Sequence, residues 1–146
     1  MFVLISFREY LSAQATLPGE RFYSESACYG FEDNFNMMNG TCATGNVLAI
    51  EVVIAGTKIK SLGCPAELSN NYTEAMYQNC CTPDNSTDCT AVYNVSSYQQ
   101  DFNGKTSFRK RAARNSLTCG NMFFSNYSTY MFVQYFCING KILKTF

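Results

Sequence analysis

Two stretches of the chain carry the apolar pattern of β-strands. Val47-Leu-Ala-Ile-Glu-Val-Val-Ile54 is rich in β-branched residues and predicts a strand buried on at least one face, punctuated by Gly45-Asn46 before it and Gly56-Thr57 after it. Thr129-Tyr-Met-Phe-Val-Gln-Tyr-Phe-Cys137 predicts the clearest strand of all. Residues 65–90 are polar, and Pro65, Asn71, Pro83 and Asn85 mark them as loop. Thr87-Asp88 is suited to cap a short helix from about Cys89 to Tyr98, with Ala91, Val92, Val95 and Tyr98 along one face. Asn103-Gly104 is a turn signal, and Pro18-Gly19 breaks the lead-in.

Composition narrows the class. A chain of 146 residues with 47% hydrophobic and 15% charged residues is one globular domain rather than a disordered tail. Histidine is absent, which removes Ser-His-Asp and Cys-His catalysis and the usual zinc hydrolase sites. The 8 cysteines stand at 28, 42, 64, 80, 81, 89, 119 and 137 with no Cys-x-x-Cys pair, so an oxidised framework is expected and no metal or other cofactor. Spacing alone does not fix the pairing. The sequons at Asn39, Asn71, Asn85, Asn94 and Asn126 point to the same compartment, outside the cell or in its secretory lumen. Together these features predict an α+β fold: a small disulfide-rich domain, mainly antiparallel strands, with a short helix and long structured loops.

Residues 1–27 are expected to be a lead-in, because Met1-Phe-Val-Leu-Ile-Ser-Phe7 has the apolar core of a signal peptide and Ala13-Gln14-Ala15 the look of its cleavage site. A retained N-terminal strand is the alternative. The domain proper is assigned to 28–138 and a tail to 139–146. No stretch reaches the roughly 18 apolar residues that span a bilayer. Charge is unevenly placed: up to Asp101 there are four basic and eleven acidic residues, and from Phe102 on seven basic and none acidic. Zero net charge, sequons and oxidised cysteines exclude nucleic acid as a partner. Arg109-Lys110-Arg111-Ala-Ala-Arg114 is expected as a solvated basic loop, with sulfated glycan, an acidic partner or the chain's own acidic half as its counterpart. The carboxylate pairs Glu32-Asp33 and Asp84 with Asp88 belong to surface turns, and no enzymatic activity is expected.

Several short motifs fall into a familiar order. Cys42-x4-Val47-Leu48 is followed by Gly56 and Cys64-Pro65; then come Phe102-Asn103-Gly104-Lys105-Thr106-Ser107-Phe108, Asn115-Ser116 and Tyr130-Met-Phe-Val133-Gln-Tyr135-Phe-Cys137. From Ala27 to Ile138 the chain resembles the sea-urchin-egg-lectin type domain, the rhamnose- or galactose-binding lectin domain of egg lectins and adhesion-receptor ectodomains. The resemblance implies disulfides Cys28–Cys64, Cys42–Cys137 and Cys89–Cys119. It leaves Cys80 and Cys81 unassigned, to close a vicinal ring, reshuffle with Cys89 or cross-link another chain. Phe102 and Phe108 replace a short-range disulfide of the family, two rings filling the volume of the lost sulfurs.

The family's sugar-binding positions correspond here to Tyr29, Ala55 and Thr129, its arginine position is Thr57, and the Gly-Asp-Pro before Cys119 is missing. The inherited pocket is thus altered, and Tyr29, Lys58, Asn103, Lys105 and Tyr130 are the candidates for a rearranged one. Tyrosine rings stack on sugars, and amide or ammonium groups bond hydroxyls. The plain alternative makes Tyr29 and Tyr130 half-buried strand residues. The resemblance implies an extracellular lectin-like module, secreted or part of an ectodomain, that binds a glycan or an extracellular protein. The alternative is an interaction subunit of a larger glycoprotein assembly, homo- or hetero-oligomeric, whose sugar site is lost.

Overall fold

The structure, a computed structural model, describes residues 21–30, 33–64 and 73–143. The leader-like Met1–Phe7, the Pro18-Gly19 break, Glu32, Pro65 and the Asn71 sequon lie outside them. The fold is α+β, built from antiparallel sheets, two short helices and four disulfides.

The main sheet has the order β1-β6-β3-β4, all neighbours antiparallel, with β1 at Arg21–Cys28, β3 at Asn46–Thr57, β4 at Cys89–Val92 and β6 at Tyr130–Asn139. The two stretches with the strongest apolar pattern, β3 and β6, lie side by side in its middle. That follows from burial: Tyr130, Met131, Val133, Tyr135, Phe136 and Cys137 of β6 are all buried, so its sequence is a near-continuous apolar run. A second sheet pairs β2 (Met37–Thr41) with β5 (Ser107–Arg111). Met38 and Phe108 project from it into the core, where they join Leu48, Ile50, Val53 and Tyr135. Phe108 lies 5.5 Å from Phe102 and 5.3 Å from Tyr135 between ring centroids, so the two rings expected to replace a disulfide do pack together.

Helix α1 spans Glu74–Cys80 and α2 spans Val95–Phe102; single helical turns lie at Asp33–Asn36 and Gly140–Leu143. No helix among the described residues is long and apolar enough to cross a membrane. Helix α1 falls within the stretch expected to be loop. Thr73 starts it, its hydroxyl accepting a hydrogen bond from the Met76 amide at 3.2 Å. The second helix begins later than predicted. Residues 89–92 pair with Ala55–Thr57 and Ile54 as β4, because Thr90 and Val92 suit a strand and an open sheet edge adjoins them. The helix follows from Val95, with Asn94 in the cap position.

Beyond the short β4, the edge of β3 is closed by α2 and the turn after it. At Glu51 the β3–β6 register slips by one residue. The backbone of Ile50 beside this bulge is satisfied from α2: its carbonyl accepts from Gln99 Nε2 at 3.0 Å, and its amide donates to Asn103 Oδ1 at 2.8 Å. The Asn103-Gly104 turn is therefore present, but it joins helix to strand rather than two strands.

The expected Cys28–Cys64 disulfide does not form. Cys28 bonds Cys81, and Cys64 bonds Cys80, while Cys42–Cys137 and Cys89–Cys119 are the pairs the resemblance implied. The physical reason is α1. Tyr77 donates its hydroxyl hydrogen to the Ser26 carbonyl at 2.7 Å, which lays the helix end beside the end of β1. The adjacent cysteines at that end, Cys80 closing the helix and Cys81 capping it, then reach two different segments.

Candidate functional site

The polar centre of the molecule was only partly visible in the sequence. Lys58, one residue beyond β3, and Asp88, one before β4, form an ion pair of 2.8 Å with side chains 6% and 1% exposed. The same carboxylate oxygen, Asp88 Oδ2, also accepts from the Tyr130 hydroxyl at 2.7 Å and from the Asp84 amide at 2.8 Å. The Lys58 ammonium lies 5.4 Å from the centroid of the Tyr130 ring, a cation–π contact. Burial, and secondarily the Asp88 carboxylate, push the Tyr130 phenol far above its ordinary range. Gly56 makes room for this ring: any Cβ there would collide with it. Asp88 is therefore no surface-turn carboxylate. It is the buried anchor of the 82–88 loop.

The loop is shaped further by Asp84, whose Oδ1 accepts from the amide of Ser86 at 3.0 Å and from its hydroxyl at 2.6 Å. These bonds hold the Asp84 carboxyl below the usual carboxylate range. Between this loop, α1 and Lys58–Leu62 opens a cavity of about 550 Å³. Gln78, Asn79 and Asp84 contribute amides and a carboxylate to its lining, and Ile59, Leu62 and Pro83 an apolar wall. An amide or carboxylate bonds a hydroxyl, and an apolar wall meets a C–H face. That combination suits a small polyhydroxylated ligand.

Of the five candidate ligand residues, the structure brings only Lys58 and Tyr130 together: Lys58, largely buried, lies in the wall of the cavity, and Tyr130, fully buried, is bonded to Asp88 in that same wall. Asn103 serves the β3 bulge. Lys105 lies with its ammonium 5.9 Å from the Phe102 ring centroid, and its carbonyl accepts from Leu48 at 2.8 Å. Tyr29, just past β1, is half-buried and sits 5.9 Å from the Arg114 guanidinium. Tyr130 is fully buried, not half-buried. At the other altered positions, Ala55 and Thr57 are buried within β3. The Thr129 hydroxyl oxygen is enclosed and without a hydrogen-bond partner among the described residues.

The basic run is not a loop. Arg109, Lys110 and Arg111 belong to β5, paired with Met37–Asn39, and the buried Phe108 and Ala112 at either end anchor the strand while Lys110 between them is exposed. Lys110 reaches over the Tyr98 ring at 5.8 Å, and Arg114 lies beyond the strand. Asn39, Asn85, Asn94 and Asn126 are all exposed. Asn85 stands on the rim of the polar cavity. Sequence reasoning missed Gln78, Asn79 and Asp84 as a group, because nothing in a polar stretch told that a helix and a pinned loop would face each other.

No protein-family model matches the chain, and no curated protein matches it significantly.

Proposed function

We propose that the chain is an extracellular lectin-like recognition module that takes a carbohydrate, free or on a glycoprotein, in the cavity between α1 and the 82–88 loop. One observation carries this: Gln78, Asn79 and Asp84 line a cavity of about 550 Å³ together with the apolar Ile59, Leu62 and Pro83. Hydrogen-bonding groups on a pinned loop need little reordering on binding, which favours affinity for a hydroxyl-rich ligand. The Asp88 anchor supplies the pinning. Four disulfides point to an oxidising compartment, and exposed sequons agree with a secreted protein or ectodomain. The motif order that resembles the sea-urchin-egg-lectin type domain supports the same class.

A second reading, an interaction subunit with no sugar site, is favoured by the burial of Ala55 and Thr57, at 2% and 1% exposure, where the family presents ligand-binding groups.

A glycan array with free galactose and rhamnose as competitors separates the two. Oxidised protein is expected to give saturable binding, abolished by either sugar and lost in an Asn79→Ala/Asp84→Ala variant. Because Asn85 borders the cavity, an Asn85→Gln form is screened beside the glycosylated one and is expected to bind more strongly. Flat signal from both folded forms would retire sugar recognition in favour of the second reading.

A further inference from the structure

The chain from Arg114 to Ser128 forms an irregular ribbon on the side of Lys58–Leu62. Ser116 and Tyr127 pair across it, the Leu117 amide donates to the Asn126 carbonyl, and the Ser128 amide donates to the Asn115 carbonyl, both at 2.8 Å. Its root is packed: Leu117 and Ser128 are buried, and the Ser128 hydroxyl accepts from the Asn115 amide at 2.8 Å. The Cys89–Cys119 disulfide ties down its middle. Its tip is tied too, since Phe124 pairs with Ile59 and the Lys60 amide donates to the Phe123 carbonyl at 2.8 Å.

On this fixed frame the outward side chains are those a protein surface usually hides. Met122 is 81% exposed, Phe123 61% and Tyr127 46%. At the root the Arg114 guanidinium lies 4.5 Å from the Tyr127 ring centroid and 5.9 Å from that of Tyr29. Arg114 has no carboxylate partner among the described residues. Arginine, tyrosine, methionine and phenylalanine are the residues enriched at the centres of protein interfaces, and a frame that is already rigid loses little entropy on docking.

We propose that the ribbon from Arg114 to Ser128 docks a protein partner that presents a carboxylate to its root and an apolar side chain to its tip, the carboxylate forked on Arg114 and the apolar group against Met122 and Phe123. Charge selects the acid: Arg114 is the one charged residue from Arg114 to Ser128, and no carboxylate among the described residues pairs with it. A guanidinium held flat by aromatic rings suits bidentate pairing with a carboxylate. A bilayer fits less well, because the exposed Asn126 sequon on the same ribbon would put a bulky hydrophilic glycan next to Tyr127. No residue of the ribbon lines the polar cavity, although its tip pairs with Ile59, which does, and docking there does not depend on sugar binding.

The test uses the full oxidised chain on an array of synthetic peptides that carry Asp or Glu at stepped spacings from Leu or Phe, with Lys-for-acid versions as controls. Binding is expected to the acidic set only, weakened at least about tenfold by Arg114→Gln and by Phe123→Ser, as for a central hot-spot contact, and unchanged by Lys105→Gln. These side chains contribute little to the core, so equal melting temperatures verify that the variants are folded. Equal binding to acidic and Lys peptides, insensitivity to Arg114→Gln, or capture of phosphatidylserine vesicles without peptide binding would overturn the proposal.

Discussion

Replacing Asp88 by Asn tests how much of the molecule depends on one oxygen. Asp88 Oδ2 accepts from Lys58 Nζ at 2.8 Å, from the Tyr130 hydroxyl at 2.7 Å and from the Asp84 amide at 2.8 Å, with only 1% of the Asp88 side chain exposed. An asparagine oxygen keeps the volume and some of the hydrogen bonding, but it takes the paired charge from the Lys58 ammonium, 6% exposed, and among the described residues leaves it only the unpaired Asp84 carboxylate nearby. Breaking a buried pair from one side costs about 3–5 kcal/mol. Lys58→Met removes the cation but leaves the carboxylate its donors Tyr130, the Asp84 amide and Thr87, and is expected to cost about 1–3 kcal/mol. The double variant should fall short of the sum by about 2 kcal/mol, because each single change removes the same contact. Guanidinium unfolding at neutral pH with disulfides intact reads this directly. With an m-value of roughly 4 kcal/mol/M, Asp88→Asn lowers the midpoint by about 1 M. A shift under about 0.3 M, or strict additivity in the double variant, would refute the reasoning.

Alkaline pH and one glycine give two further expectations. Burial raises the phenols of Tyr98 and Tyr135 to about 12 and that of Tyr130 beyond them, against an ordinary value of 10.0. A raised folded-state value means the neutral form is favoured by folding, so this stability is fully present below about pH 10 and is lost as pH climbs through the folded values. Absorbance titration at high pH, followed beside circular dichroism, should show these three tyrosines ionising only together with loss of the fold; their ionisation with the fold retained would contradict it. Gly56→Ala forces the Tyr130 ring aside and is expected to cost about 1–3 kcal/mol, read as a lower melting temperature; an unchanged value would mean that the ring adapts freely.

How far the sequence reveals the fold differs by element. The β3 and β6 strands were legible because central strands are apolar on both faces, and their β-branched and aromatic runs carry that directly. The bulge at Glu51 was not, since a one-residue slip depends on what α2 offers to the Ile50 backbone. Cys89–Val92 was misread as helix because Ala91 and Val92 fit a helical face as well as they fit a strand; the free edge of β3 decided between them. The basic run passed for loop because four charges in six residues mask the single buried Phe108 beside them. The adjacent cysteines resisted assignment until Thr73 started a helix ending at Cys80. Within the candidate site, Lys58 and Tyr130 were found, while Asp88 was taken for a surface carboxylate. Spacing gives no sign that a polar loop will turn inward onto a lysine.

The most direct measurement of the central claim is a titration of the ¹⁵N-labelled, oxidised chain with galactose and with rhamnose, followed by amide chemical shifts. Saturable shifts concentrated at Lys58, Gln78, Asn79 and the 82–88 loop are the expected result, with smaller changes at Tyr130. Shifts centred instead on Tyr29 and Thr129, or none with either sugar, would contradict the assignment of carbohydrate to this cavity.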